Sequence, residues 1–262
     1  MAAINRHASF FFFIYVCVAC LLGIFGIADV GFTAFWQNLF TVALEILVGA
    51  GVTIFFIDRL NDHRATESLK RRLIREAGSR SNDIAISAAE WLRREGWLCG
   101  SGGLLNGEFL EGANLRNANL ERAQFEGSRL SLAYFQDAVL YKVNMRGAHL
   151  FDASFQGAGL LHADLTDADL RMAQFGGSIL IGADFQGANL QFADLQGAIL
   201  GGNNFTDATL PDGSKYDGET IMRKFTESTH PEFRDFRLEK RRELKKQASR
   251  LGQTRPEDFN QF

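Results

Sequence analysis

The chain has 262 residues, with 28 Lys and Arg against 31 Asp and Glu, a formal net charge of −3, and 46% hydrophobic residues that include 24 Phe. This balance excludes a chain-wide basic field that gathers nucleic acid and a chain-wide acidic field that imitates it, so charge arguments must be local. Cys17, Cys20 and Cys99 do not make the paired framework of a small secreted domain.

From Ser9 to Ala28 the sequence runs twenty residues without a charge, the length a helix needs to cross a bilayer core. A second apolar run follows from Phe35 to Ile57, so residues 1–57 are expected to form a two-helix transmembrane hairpin with spans at about 9–28 and 35–57. A second span so soon argues against a cleaved signal peptide. The intervening loop has no basic residue, whereas Arg59, Arg64, Lys70, Arg71, Arg72, Arg75 and Arg80 follow the second run. The positive-inside rule then places both termini and everything after residue 57 in the cytoplasm of a bacterial-type inner or plasma membrane. Cys17-Val-Ala-Cys20 has CxxC spacing but no neighbouring charge, which reads as apolar packing. Glu45 falls near the middle of the second span, where a carboxylate must be protonated or paired. Gly23, Gly26, Gly49 and Gly51 allow close helix approach, so Glu45 serves either as an interhelical hydrogen bond or as an ion-linked group in an oligomer.

Residues 58–98 are charged but keep Leu60, Leu69, Leu73, Ala77, Ile84, Ala88 and Leu92 at helical spacing. Two amphipathic helices are expected, broken around Gly78 to Asn82, the second capped at Ser81 or Asn82. This connector should bring Trp91, Trp97 and Leu98 to the open end of the next domain as its N-terminal cap. The basic run Lys70-Arg71-Arg72 suits anionic headgroups.

After Gly112 the chain repeats every five residues. Its central apolar positions include Leu115, Leu120, Phe125, Leu130, Phe135, Leu140, Phe155, Leu165, Phe175, Phe185, Leu190 and Phe205, and the series ends at Leu210. Ala or Ser stands two residues earlier except at Val143 and Asn203. A five-residue period keeps to neither one helix face nor one strand face, so only a chain that turns a corner every five residues buries every central residue. Each side is then a very short strand stacked on the coil below. Positions numbered in tens are all Leu, and every central Phe falls among those ending in five. Such alternation needs an even number of sides per coil, and four is the smallest that closes.

Stretches such as ANLRNANL and GADFQGANL, in unbroken register across Leu105 to Leu210, resemble the pentapeptide-repeat family, and the flanks are similar to those of its membrane-bound bacterial members. The resemblance implies a right-handed four-sided β-helix over 105–210, with 211–262 as a C-terminal cap and basic helical tail. It brings no catalytic residue, no cofactor and no metal site, and the chain is expected not to be an enzyme. His149 and His162 fall on different sides as surface residues.

The function expected is therefore a membrane-anchored protein-interaction or scaffold module presenting the rod to the cytoplasm. One alternative is a subunit of a membrane sensor or channel-like oligomer that uses Glu45. The other is a DNA-mimicking, gyrase-binding protein of the kind found in the family. Residues 108–210 hold twelve acidic against six basic residues, too mild a charge for mimicry, and no nucleic acid is expected. Expected partners are the lipid bilayer and an unspecified protein, with a homo-oligomer open. Arg234 to Arg250 is basic and helix-prone, suiting either a solvated cap or an anionic contact.

If four sides make a coil, residues twenty apart stack. The wall built on Leu120, Leu140, Leu160, Leu180 and Leu200 then points Val139, Tyr141, Leu161, Ile179, Ile181 and Ile199 outward. The wall built on Phe125 points only polar residues outward. The apolar stripe is a candidate interface, or else a surface covered by the chain's own Phe225, Phe233 and Phe236.

Overall fold

The computed structural model describes residues 32–100, 102–218, 220 and 222–250. The first apolar run, with Cys17, Cys20, Gly23 and Gly26, lies outside the described residues, as does the side chain of Glu45. The chain divides between Glu67 and Ser68 into two units.

Helix α1, Phe32–Ala77, runs 46 residues without a break, so the second apolar run and the first connector helix are one element. The sequence offers no Pro to stop it, and the helix runs on although Thr53 and Thr66 donate their hydroxyls to the carbonyls four residues back, Gly49 and Asp62, a contact that tends to bend helices. In the first unit, Val48, Val52, Ile54, Phe55, Phe56 and Ile57 are all exposed. Among the described residues no helix is long and apolar enough to cross a membrane.

In the second unit α1 ends at Ala77, where Gly78 donates to the Ile74 carbonyl at 3.2 Å. Helix α2, Asn82–Arg94, starts from Ser81 and buries Ala85, Ala88, Ala89 and Leu92 in one core with Leu73, Ala77 and the rod. The connector closes the first coil through backbone groups. Asn114 N–H donates to Ser79 O at 2.8 Å and Gln124 N–H to Leu98 O at 3.0 Å. The Asn82 amide donates to the carbonyls of Asn114 and Arg116. A solenoid end is an unpaired edge, and these bonds cover it. Leu98 plugs the end as expected and Trp97 packs beside it, but Trp91 points to solvent because α2 already fills that face with alanines.

From Phe109 to Thr209 the chain forms a four-sided β-helix. Parallel bridges link each residue to the one twenty further on, from Phe109–Arg129 to Asn189–Thr209. Each side contributes a single bridging residue instead of a strand, since two of every five residues are spent on the corner. The central residues are buried apart from Leu200, which is half-buried, as are the small residues before them. Val143 takes a small-residue position as a buried apolar side chain. Asn203 takes another by donating to the carbonyls of Leu180 and Ala183. The phenylalanines stack coil on coil. Ring centroids lie 5.0 Å apart for Phe135–Phe155, Phe155–Phe175 and Phe185–Phe205, and edge contacts of 6.2 and 6.3 Å tie Phe125 to Phe135 and Phe175 to Phe185.

Every corner but that at Gly201–Gly202 is a hydrogen-bonded turn, as in Ala118 N–H to Leu115 O at 3.2 Å, and the second corner residue has positive φ at all twenty corners from Gly112 to Asp207. Nine of these are Gly, four Asp and one Asn, the residues that reach this conformation most easily. The other six are Arg122, Leu132, Lys142, His162, Met172 and Phe192.

The C-terminal end is closed by an antiparallel bridge from Thr209 to Lys215 and by Tyr216 against Phe205 at 5.6 Å. The short α3, Arg223–Thr226, buries Phe225, and Gly197 N–H donates to Thr226 O at 2.8 Å. Helix α4, Phe236–Arg250, follows.

Candidate interaction surface

Each wall carries one outward residue per coil and two at the corner, so the surface reads as stacked columns twenty residues apart. On the wall of Phe125, Met145, Leu165, Phe185 and Phe205 the column is Gln124, Asn144, Asp164, Asp184 and Asn204, and it is internally satisfied. The Asn144 amide donates to Gln124 at 2.9 Å and the Asn204 amide to Asp184 at 3.1 Å. Asn144, Asp164, Asp184 and Asn204 each accept the N–H two residues on.

On the wall of Leu130, Leu150, Leu170, Leu190 and Leu210 the columns hold ion pairs and cation–aromatic contacts. The Arg129 guanidinium lies 4.5 Å from the Phe109 ring centroid, and Arg171 meets Asp169 at 2.8 Å. Burial works to raise the Asp169 carboxyl, but its hydrogen bonds and charge contact with Arg171 outweigh that and hold it below the ordinary range.

The wall of Leu115, Phe135, Phe155, Phe175 and Leu195 bears a side-chain hydrogen-bond chain. Arg116 donates to Gln136 at 3.0 Å, Gln136 to Ser154 at 2.8 Å, and Gln156 to Gln174 at 2.6 Å. Gln174 donates to Asp152 at 3.2 Å. Asp152 is buried at the corner beside this wall, paired with Arg237 and at 3.5 Å with Arg241 of α4. Arg237 also donates to the Met172 carbonyl at 2.8 Å and is only 8% exposed, and burial lowers its affinity for the proton against the pull of Asp152. Phe225, Phe233 and Phe236 line a small cleft with Ala193, Leu195 and Pro211 on this same side.

The chain's own C-terminal aromatics therefore cover the last coil of the Leu115 wall, around Ala193 and Leu195, which corrects the expectation that they cover the Leu120 wall. They follow the buried Asp152–Arg237 pair, a link between residues 85 apart that no local pattern announces. The basic tail is likewise a docked helix in its first turns. Its helix was expected from the sequence, its docking through Asp152 was not.

The Leu120 wall is left apolar and uncovered among the described residues. Val139 is 47% exposed, Ile181 40% and Ile199 51%, while Tyr141, Leu161 and Ile179 are half-buried by stacking on their neighbours. All six expected residues thus fall on one face, where parallel bridges join Val139 to Gly159, Gly159 to Ile179 and Ile179 to Ile199. One rim of this face carries Asp137 and the other Arg122, Lys142 and His162. Lys142 lies 5.3 Å from the Tyr141 ring centroid, and the rings of Tyr141 and His162 meet edge to face at 6.2 Å. His149 and His162 are exposed on different walls, as expected.

A comparison with curated protein sequences finds no match. A family model for pentapeptide repeats matches eight copies over residues 101–131, 128–167 and 183–212. Between the last two stretches the register continues unbroken, with bridges Ser154–Gln174 and Gly159–Ile179. Similar solved structures include the pentapeptide-repeat protein Rfr23 of the cyanobacterium Cyanothece 51142, 24% identical over 40% of this chain and 83% of that one, with a TM-score of 0.30. HetL of Nostoc sp. strain PCC 7120, involved in regulating heterocyst differentiation, is 32% identical over 43% of this chain, with a TM-score of 0.23. The chain spans 61% of HetL's length. A pentapeptide-repeat protein of the Arabidopsis thaliana thylakoid lumen is 28% identical over 52% of this chain and 91% of its own, with a TM-score of 0.21. The five-residue period and the twenty-residue bridge spacing agree with the match to the pentapeptide-repeat family model, which covers residues 101–167 and 183–212 and so less than half of the chain.

Proposed function

We propose that this protein is a non-enzymatic, membrane-held interaction module that offers the Leu120 wall to a protein partner. The observation that carries the reading is the contrast between walls. Two are laced with their own hydrogen bonds and ion pairs, a third is partly covered by the C-terminal segment, and the fourth leaves Val139, Ile181 and Ile199 in water. An exposed apolar stripe on a rigid scaffold is ordinarily an interface, because its burial is favourable and the scaffold orders nothing on binding.

Membrane attachment is supported by the two apolar runs of the sequence and by the apolar side chains exposed all around α1 from Val48 to Ile57. A helix apolar on every side is at home in lipid or inside a large core. The basic residues after residue 57 favour a cytoplasmic rod. The test is Leu161→Glu with Ile181→Glu in the full chain. Crosslinked complexes recovered from native membranes should disappear while circular dichroism stays unchanged; complexes that persist would retire the reading.

A further inference from the structure

We propose that the partner of the Leu120 wall is the Leu120 wall of a second copy of this chain, the two rods lying parallel about a two-fold axis that runs along them. The inference rests on the interaction reading above and names its occupant.

The first argument is the charge on the two rims. Rotation about an axis parallel to the rods leaves heights unchanged and exchanges left and right, so the rim after the Leu115 wall meets the copy's rim before the Phe125 wall. At the level of Leu140 this sets Asp137 against Lys142 of the other copy, and by symmetry Lys142 against Asp137. Both side chains are exposed, and neither has an ion-pair partner among the described residues. At the level of Leu120 the same rotation sets Arg116 against Glu121. Along the middle of the face Val139, Ile179 and Ile199 each meet themselves, so apolar coils meet apolar coils. The antiparallel alternative puts Asn119 and Glu121 onto Ile199 and Gly201 and pairs Lys142 with Ile181 and Gly182, which leaves its charge unmatched.

The second argument is backbone conformation. Arg122, Lys142 and His162 hold φ of +57°, +52° and +54° at one rim of this wall. A side chain in that region costs on the order of 1–2 kcal/mol relative to glycine. Of the six corner residues that are neither Gly, Asp nor Asn, Met172 and Phe192 lie beside α4, where Arg237 binds the Met172 carbonyl and Lys240 lies 5.4 Å from the Phe192 ring. Three of the others form this rim. Of the six, two thus lie where α4 docks, three on this rim, and the sixth is Leu132.

Third, the face measures roughly 24 by 10 Å, from ~4.8 Å per coil and ~3.3 Å per residue. That is well short of the ~1,600 Å² a standard interface buries. Such pairing is weak between free rods and becomes effective when a shared membrane holds the copies together and aligned in parallel.

The test uses the full chain in membranes, with Cys17, Cys20 and Cys99 replaced by Ser and single changes Val139→Cys, Ile179→Cys or Ile199→Cys. A short bis-maleimide should link each variant to itself. Lys142→Glu alone, or Asp137→Lys alone, should lower the linked fraction by about tenfold, the effect of one mismatched charge pair at each rim. Asp137→Lys with Lys142→Asp should restore it. Linking of Val139→Cys only to Ile179→Cys would show antiparallel rods and overturn the proposal, as would failure of the swapped pair to restore linking. If no variant links while Leu161→Glu with Ile181→Glu still abolishes native complexes, self-pairing is wrong and the interaction reading stands. If the double change also does nothing, both fall.

Discussion

At the scale of single residues the rod distinguishes two chemically identical inner positions. Ser128 and Ser178 both replace the small alanine, and both are fully buried. The Ser128 hydroxyl donates to Phe125 O at 2.6 Å, whereas the Ser178 hydroxyl has no partner among the described residues. A buried unpaired hydroxyl costs about 1–3 kcal/mol, and a typical made bond contributes about 1 kcal/mol. Ser178→Ala should therefore raise the denaturation midpoint and Ser128→Ala lower it. Equal shifts in one direction would mean that Ser178 is bonded in solution. Much of this level was legible beforehand. The small residue and the central Leu or Phe point inward as expected because a five-residue period leaves no other arrangement that buries both. That the last two repeat residues turn the corner was expected, but the positive φ of the second was not, and Arg122, Leu132, Lys142, His162, Met172 and Phe192 hold it without the ease of Gly, Asp or Asn.

At the scale of elements the informative contact is α4 against the rod. Asp152 receives Arg237, Arg241 and Gln174, so its charge is compensated by three donors where the sequence suggested a basic helical tail with no named contact. The contact was illegible because it joins residues 85 apart through the second residue of a corner, which is solvent-facing in the majority of corners. Removing one partner of a buried pair leaves an uncompensated charge and costs about 3–5 kcal/mol, softened here by Arg241. Arg237→Met should loosen α4, seen as faster amide exchange over residues 236–246 with exchange in the rod unchanged. Asp152→Asn should have the same signature. Protection of α4 in both variants would show that Phe225 and Phe236, whose rings lie 6.2 Å apart, hold it without the ion pair.

At the scale of the whole molecule the question is what fixes the rod in place. Helix α1 is one element from Phe32 to Ala77, where the sequence alone suggested separate helices meeting near residue 57. No periodicity could show that continuity, because the stretch changes from uniformly apolar to amphipathic without a Pro to mark the junction. The exposed ring from Val48 to Ile57 would bury of the order of 1.5–3 kcal/mol per side chain in an apolar medium. A charged residue at a span's centre costs about 2.5–3.5 kcal/mol on insertion. The full chain should therefore remain with membranes through alkaline carbonate, and Val52→Arg with Phe55→Arg should shift it toward the soluble fraction. Glu45→Gln, which keeps the hydrogen-bonding shape without the charge, should leave that partition and the crosslinked dimer unchanged. Release of the unaltered chain by carbonate would end the membrane reading. Loss of the dimer in Glu45→Gln with the rod variants still folded would move the self-association from the Leu120 wall to the apolar helices.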